Sequence, residues 1–98
     1  MIIRIVKLTF QEEKLPEFFS IFEASKELIR AFPGCNRLEL LQEANNPQTI
    51  MTYSWWDNED ALESYRHSEL FKSTWAKTKP LFSDRAQAWS MVQKEKLQ

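Results

Sequence analysis

The sequence predicts an α+β fold of ferredoxin-like order, β-α-β-β-α-(α)-β, with a four-stranded antiparallel sheet covered by helices on one side. Three observations predict it. Apolar residues alternate with period two in four short segments and recur at intervals of three and four in the stretches between them. The polar cluster Ala44-Asn45-Asn46-Pro47 joins two of the alternating segments as a hairpin. The single glycine, Gly34, follows Pro33 at the end of the longest helical pattern, where a helix stops.

Ile2 to Phe10 forms the first strand, with Ile2, Val6, Leu8 and Phe10 on one face and Ile3 and Ile5 on the other. Apolar residues on both faces call for two covers. The chain's own helices supply one, and a second subunit is the expected other. Gln11 to Phe32 is helical, with Phe18, Ile21, Phe22, Ser25, Leu28, Ile29 and Phe32 in one stripe, broadened by Leu15 and Phe19. Glu12, Glu13 and Glu17 near its start and Lys26 and Arg30 toward its end suit the helix dipole. Pro16 belongs in a first turn, so the regular helix is expected to begin near Leu15.

Cys35 to Glu43 and Thr49 to Trp56 are the hairpin strands, joined by a loop of about four residues. On the second of them Ile50, Thr52, Ser54 and Trp56 face one way, while Met51, Tyr53 and Trp55 face the other. Asp57 or Asn58 caps the next helix, whose inner stripe is Ala61, Leu62 and Tyr65. Ser68 caps a further helix carrying Leu70, Phe71, Thr74, Trp75 and Thr78 at helical spacing. Lys79-Pro80 ends it, and Leu81 and Phe82 pack beneath. Arg85 to Val92 is the last strand, with Trp89 and Met91 opposite Ala86, Ala88 and Ser90. Residues 93–98 are expected to fray.

The 98 residues make one domain. A net charge of −1 offers no basic surface for nucleic acid or anionic lipid, which also excludes an RNA-binding domain of the same strand order. One cysteine excludes an internal disulfide and a multi-cysteine metal site. One glycine excludes a dinucleotide fingerprint or a Walker loop. No apolar run approaches the roughly 20 residues of a membrane-spanning helix, and no secretory leader pattern opens the chain, so the cytoplasm is the expected compartment. With helices on one sheet face, Met51, Tyr53 and Trp55 are left on the other, and a homodimer with sheets packed face to face is expected.

Residues 53–75 hold three of the four tryptophans, both tyrosines and the only histidine. A strand that passes aromatics directly to a helix builds a wall and a lid of one cavity. Here a family likeness also appears. Ala31-Phe32-Pro33-Gly34-Cys35, Tyr53-Ser54-Trp55-Trp56 with Asp57 to Ala61, Tyr65 to Phe71 with Trp75, and Ala88-Trp89-Ser90 resemble, in order and spacing, the antibiotic-biosynthesis-monooxygenase-like family of small dimeric α+β barrel proteins. Similar proteins include quinol and polyketide monooxygenases, haem-degrading enzymes and an isomerase of a signalling sugar. The haem-degrading pattern has a tryptophan and, about ten residues on, a histidine, where this chain has Tyr65 and Trp75. Haem degradation is therefore not expected.

The resemblance implies a monooxygenase without metal, flavin or other cofactor, acting on a small aromatic, quinol-like or polyketide-like molecule that passes an electron to dioxygen itself. It places the pocket between helices and sheet, lined by Phe18, Phe22, Trp56, Leu62, Phe71 and Trp75, with Thr52 and Ser54 as small polar groups. Tyr65 is the candidate catalytic residue, orienting a substrate oxygen or donating a proton. Packing is the alternative for each: Trp56 as a core wedge, Tyr65 as a structural tyrosine, Trp75 as pocket wall or core. His67 reads as a surface residue, Cys35 as a small buried hydrophobe, and Asp57, Glu59 and Asp60 as helix N-terminal acids rather than metal ligands. A dimeric ligand-binding or accessory protein that keeps the fold without the reaction is the other functional hypothesis.

Overall fold

Seven main elements follow one another in the computed structural model, which describes residues 1–98: β1 (Ile2–Thr9), α1 (Leu15–Arg30), β2 (Cys35–Glu43), β3 (Asn46–Trp56), α2 (Glu59–Arg66), α3 (Glu69–Thr78) and β4 (Gln87–Met91). Short 3-10 turns at Glu12–Lys14 and Lys79–Leu81 precede α1 and follow α3. The sheet order is β2-β3-β1-β4, and every neighbouring pair is antiparallel. This is the split βαβ arrangement expected from the element order.

The register decides what each face carries. Arg4 lies opposite Ser54 and Ser90, Val6 opposite Thr52 and Ala88, and Leu8 opposite Ile50. These residues look toward the helices, where Leu8, Phe10, Ile50 and Trp56 are buried. The alternate residues, Ile3 and Ile5 with Met51, Tyr53, Trp55, Trp89 and Met91, share the opposite face. That face stays accessible: Leu41, Trp89 and Met91 are exposed, and the Arg37 guanidinium lies 4.7 Å from the Trp55 ring centre.

Two buried clusters anchor the helices. Leu8, Phe10, Phe18, Ile50 and Leu81 form one, and Cys35, Trp56 and Leu62 form the other. Asn58 caps α2 by accepting from the Ala61 N–H at 2.9 Å, and Ser68 caps α3 by accepting from the Phe71 N–H at 3.1 Å. Gly34 has φ of +89°, and a Cβ there would sit 2.5 Å from the Ala61 Cβ. Its carbonyl accepts from the Asp57 N–H at 2.9 Å, so the turn after α1 and the start of α2 are held together through this glycine.

Several boundaries differ from the sequence reading. Only Ala44 and Asn45 lie outside the hairpin strands, because β3 begins at Asn46 rather than Thr49. The added residues enter through an irregularity: Gln42 pairs with Ile50 while Glu43 pairs with Asn46. Pro47 in that stretch has no N–H, and the Gln42 side chain donates to its carbonyl at 2.8 Å. β4 is shorter than Arg85 to Val92, since its only partner is Ile3 to Lys7 of β1. Phe10 leaves β1 for a single bridge with Phe82. The α1 stripe is narrower than its pattern, with Leu28 60% and Phe19 38% exposed. α1 packs mainly on α3 and β2.

Candidate functional site

Between the sheet and the helices is a cavity of about 370 Å³. Its floor is the helix-facing side of the sheet: Arg4, Val6 and Leu8 on β1, Thr52 and Ser54 on β3, Leu38 on β2, and Ala86 and Ala88 at the β4 end. Val6, Thr52 and Ala88 are in register across three strands, and their small side chains leave the space that larger ones would fill. The helices supply the walls at helical spacing. Phe18, Phe22 and Ile29 come from α1, Leu62, Tyr65 and Arg66 from α2, and Phe71, Thr74, Trp75 and Thr78 from α3. Apolar walls with a few polar groups are the usual make-up of a small-molecule site, for which roughly 300–1,000 Å³ is typical.

The structure thus brings Phe18, Phe22, Thr52, Ser54, Leu62, Tyr65, Phe71 and Trp75 to one cavity. Trp56 is the correction. It does not line the cavity but lies behind it, with no accessible surface, stacked on Tyr65 with ring centres 4.9 Å apart. Its Nε1–H donates to Ser54 Oγ at 2.9 Å. As the last residue of β3 it is pinned between sheet and α2, so its position at the strand end makes it a wedge rather than a wall.

Tyr65 is held by rings on three sides: Trp56 stacks on it, and Phe32 and Phe71 meet it edge-on at 5.4 and 5.2 Å. Burial, with a smaller contribution from neighbouring Cys35, pushes its phenol up to about 12. The ring therefore keeps its proton at neutral pH, a form that can donate a hydrogen bond and is a poor base. Ser54 Oγ accepts from Trp56, which leaves its own O–H free to donate. The Thr78 hydroxyl is used within its helix, donating to the Thr74 carbonyl at 2.8 Å.

Arg4, like Arg66 and the apolar Ile29 and Leu38, lines the cavity without being among the residues that the sequence singled out for it. In the sequence Arg4 stands among isoleucines and a valine. Only the register places it on the cavity floor between Ser54 and Ser90. Its Nη1 donates to Ser90 Oγ at 3.0 Å. Burial and then the nearby Arg66 cation hold it below the usual arginine value, with Glu63 opposing. The available signal was its parity: Arg4 shares a face with Ile2, Val6 and Leu8.

The remaining chemical residues lie elsewhere. His67 ends α2 in solvent, its Nδ1 2.8 Å from the Glu63 carbonyl oxygen. Cys35 is buried, and its desolvation raises the thiol above its ordinary value. Asp57 accepts from the Asn36 side chain at 2.8 Å. No three His, Cys, Asp or Glu side chains converge as a metal cluster. No helix is long and apolar enough to cross a membrane.

The sequence model of the antibiotic biosynthesis monooxygenases matches residues 1–77. The chain belongs to this family. Solved structures agree in fold. An antibiotic biosynthesis monooxygenase superposes with a TM-score of 0.91 at 16% identity, over 97% of this chain and 100% of its own. A conserved protein from Methanosarcina mazei gives 0.90 at 23% identity, covering 96% of this chain and 94% of its own. A mutant of SnoaB, a cofactor-independent oxygenase from Streptomyces nogalater, gives 0.86 at 18% identity, over 98% and 95%. No curated protein sequence matches. At such identities the antibiotic biosynthesis monooxygenase neighbours establish the shared fold and leave the substrate to be argued from the cavity.

Proposed function

We propose that this family member is a cofactor-independent monooxygenase acting on a small aromatic, quinol-like or polyketide-like molecule held between helices and sheet. The observation that carries the reading is the partly polar cavity beside Tyr65; a filled, dry core there would have left no room for a substrate. Phe18, Phe71 and Trp75 offer faces and edges to a planar ring. Tyr65 would donate a hydrogen bond to a ring oxygen, and the apolar walls would keep water from the reacting carbon. For a substrate that carries a ring CH₂, as an anthrone does, that CH₂ becomes C=O. The substrate gives up four electrons to dioxygen, one oxygen atom enters the product and the other leaves as water. Family membership and the cofactor-independent oxygenase among its structural neighbours support this class of reaction. We further propose a homodimer through the accessible sheet face, where Tyr53, Trp55, Trp89 and Met91 form one apolar surface.

The test is dioxygen uptake with simple quinols and anthrones, comparing the wild type with Tyr65→Phe. The expected result is turnover in the wild type and a loss of about ten- to a hundredfold in the variant. Equal rates would remove Tyr65 from the mechanism, and no uptake with any substrate would remove the oxygenase. A second reading, a dimeric binding or accessory protein, is favoured by one feature: no Asp, Glu or His lines the cavity to take a proton.

A further inference from the structure

The cavity floor contains a cation with no ionic partner. Ion pairs in the chain join Lys26 to Glu23, Arg37 to Glu39, and Arg66 and His67 to Glu63, and none reaches Arg4. The one side-chain acceptor for Arg4 is the neutral Ser90 hydroxyl at 3.0 Å, which uses one of five guanidinium N–H groups. Arg66, the other cation lining the cavity, is neutralised by Glu63 at 2.8 Å. Two guanidiniums and one carboxylate leave one positive charge at this end of the cavity.

The opposite chemistry is missing. The 19 lining residues include no Asp, Glu or His, and Tyr65 holds its own proton. Nothing in the cavity can accept a proton from a neutral phenol or acid. A ligand that enters already ionised needs no such base, and a partly desolvated guanidinium with free N–H groups is a good receptor for two oxygens of one planar anion. The aromatic walls fit the ring that carries them.

We infer that the cavity selects a small aromatic oxyanion, a ring carboxylate or an acidic enolate, and that Arg4 is the residue that holds its charged oxygen. This rests on the reading of the cavity as the substrate site and adds the charge state of the substrate. Ser54, opposite Arg4 in the sheet, has its hydroxyl hydrogen free to bond the same oxygen. Tyr65 then donates to a second oxygen on the ring.

Binding, read by quenching of tryptophan fluorescence and by calorimetry, tests the inference without any need for turnover. Two probe pairs distinguish the sources of the oxyanion: 2-naphthoate against its methyl ester, and 2-hydroxy-1,4-naphthoquinone, an enolate at neutral pH, against its methyl ether. The wild type is expected to bind at least one anion about ten- to a hundredfold more tightly than its neutral partner. Arg4→Met should bring the pair together by weakening the anion alone. Arg4→Lys, which keeps the charge and loses the fork, should retain part of the preference. Equal binding of anion and neutral partner by the wild type overturns the inference, as does a preference that survives Arg4→Met or a failure of every probe to bind. The wild-type comparison decides even where Arg4→Met does not fold. Anion-selective binding without dioxygen uptake would remove the oxygenase and keep this inference; uptake by a protein indifferent to charge would do the reverse.

Discussion

Tyr65 lies flat on Trp56, with ring centres 4.9 Å apart and planes 24° from parallel. One ring faces the cavity and the other is sealed behind it. The pair divides adjoining aromatic residues into a group that a ligand can meet and one that it cannot.

The cavity-facing partner of that stack should show its burial in its ionisation. In Tyr53→Phe, where Tyr65 is the remaining tyrosine, near-UV absorbance is expected to report a phenol midpoint of about 12 against an ordinary 10.0. The folded value lies above the unfolded one, so this contribution to stability is complete below pH 10 and is lost as pH rises toward 12. It amounts to roughly 2–3 kcal/mol at most. A midpoint near the ordinary value would mean that the ring is open to solvent.

The hidden partner should matter for stability. Trp56→Ala removes the largest fully buried side chain and the donor to Ser54. The expected loss is about 3–5 kcal/mol by denaturant titration. A loss under about 1 kcal/mol would contradict its role as a wedge.

Gly34→Ala tests the join between α1 and α2. The substitution meets both a positive φ and a Cβ contact of 2.5 Å with Ala61. It should cost about 1–3 kcal/mol. Combining it with Ala61→Gly should recover the steric part and leave the backbone part, a partition that a double-mutant cycle measures.

Trp55→Glu addresses the accessible sheet face. A charge placed among Ile3, Met91 and the neighbouring aromatics should drive the proposed dimer to monomer in sedimentation, while far-UV circular dichroism stays unchanged. A wild type that sediments as a monomer at micromolar concentration would rule out the dimer directly.

Much of this protein is determined by local pattern. Period-two alternation put Ile50, Thr52, Ser54 and Trp56 on one face of β3, and the register keeps them there. The helix stops and starts at Gly34, Asn58 and Ser68 follow from backbone chemistry that depends only on near neighbours. Helical spacing likewise put Phe18, Phe22, Leu62, Tyr65, Phe71 and Trp75 on inner stripes, and the family resemblance placed those stripes around a cavity, which they line.

Tertiary structure alone decided three things, each dependent on strands far apart in sequence. It put Trp56 behind the cavity because the strand end meets α2 there. It left space over Val6, Thr52 and Ala88 because three small residues come into register. And it made Arg4 the cation of the cavity floor, with Ser54 on one side and Ser90 on the other. Periodicity tells which face a residue takes; only pairing across the sheet tells what stands beside it.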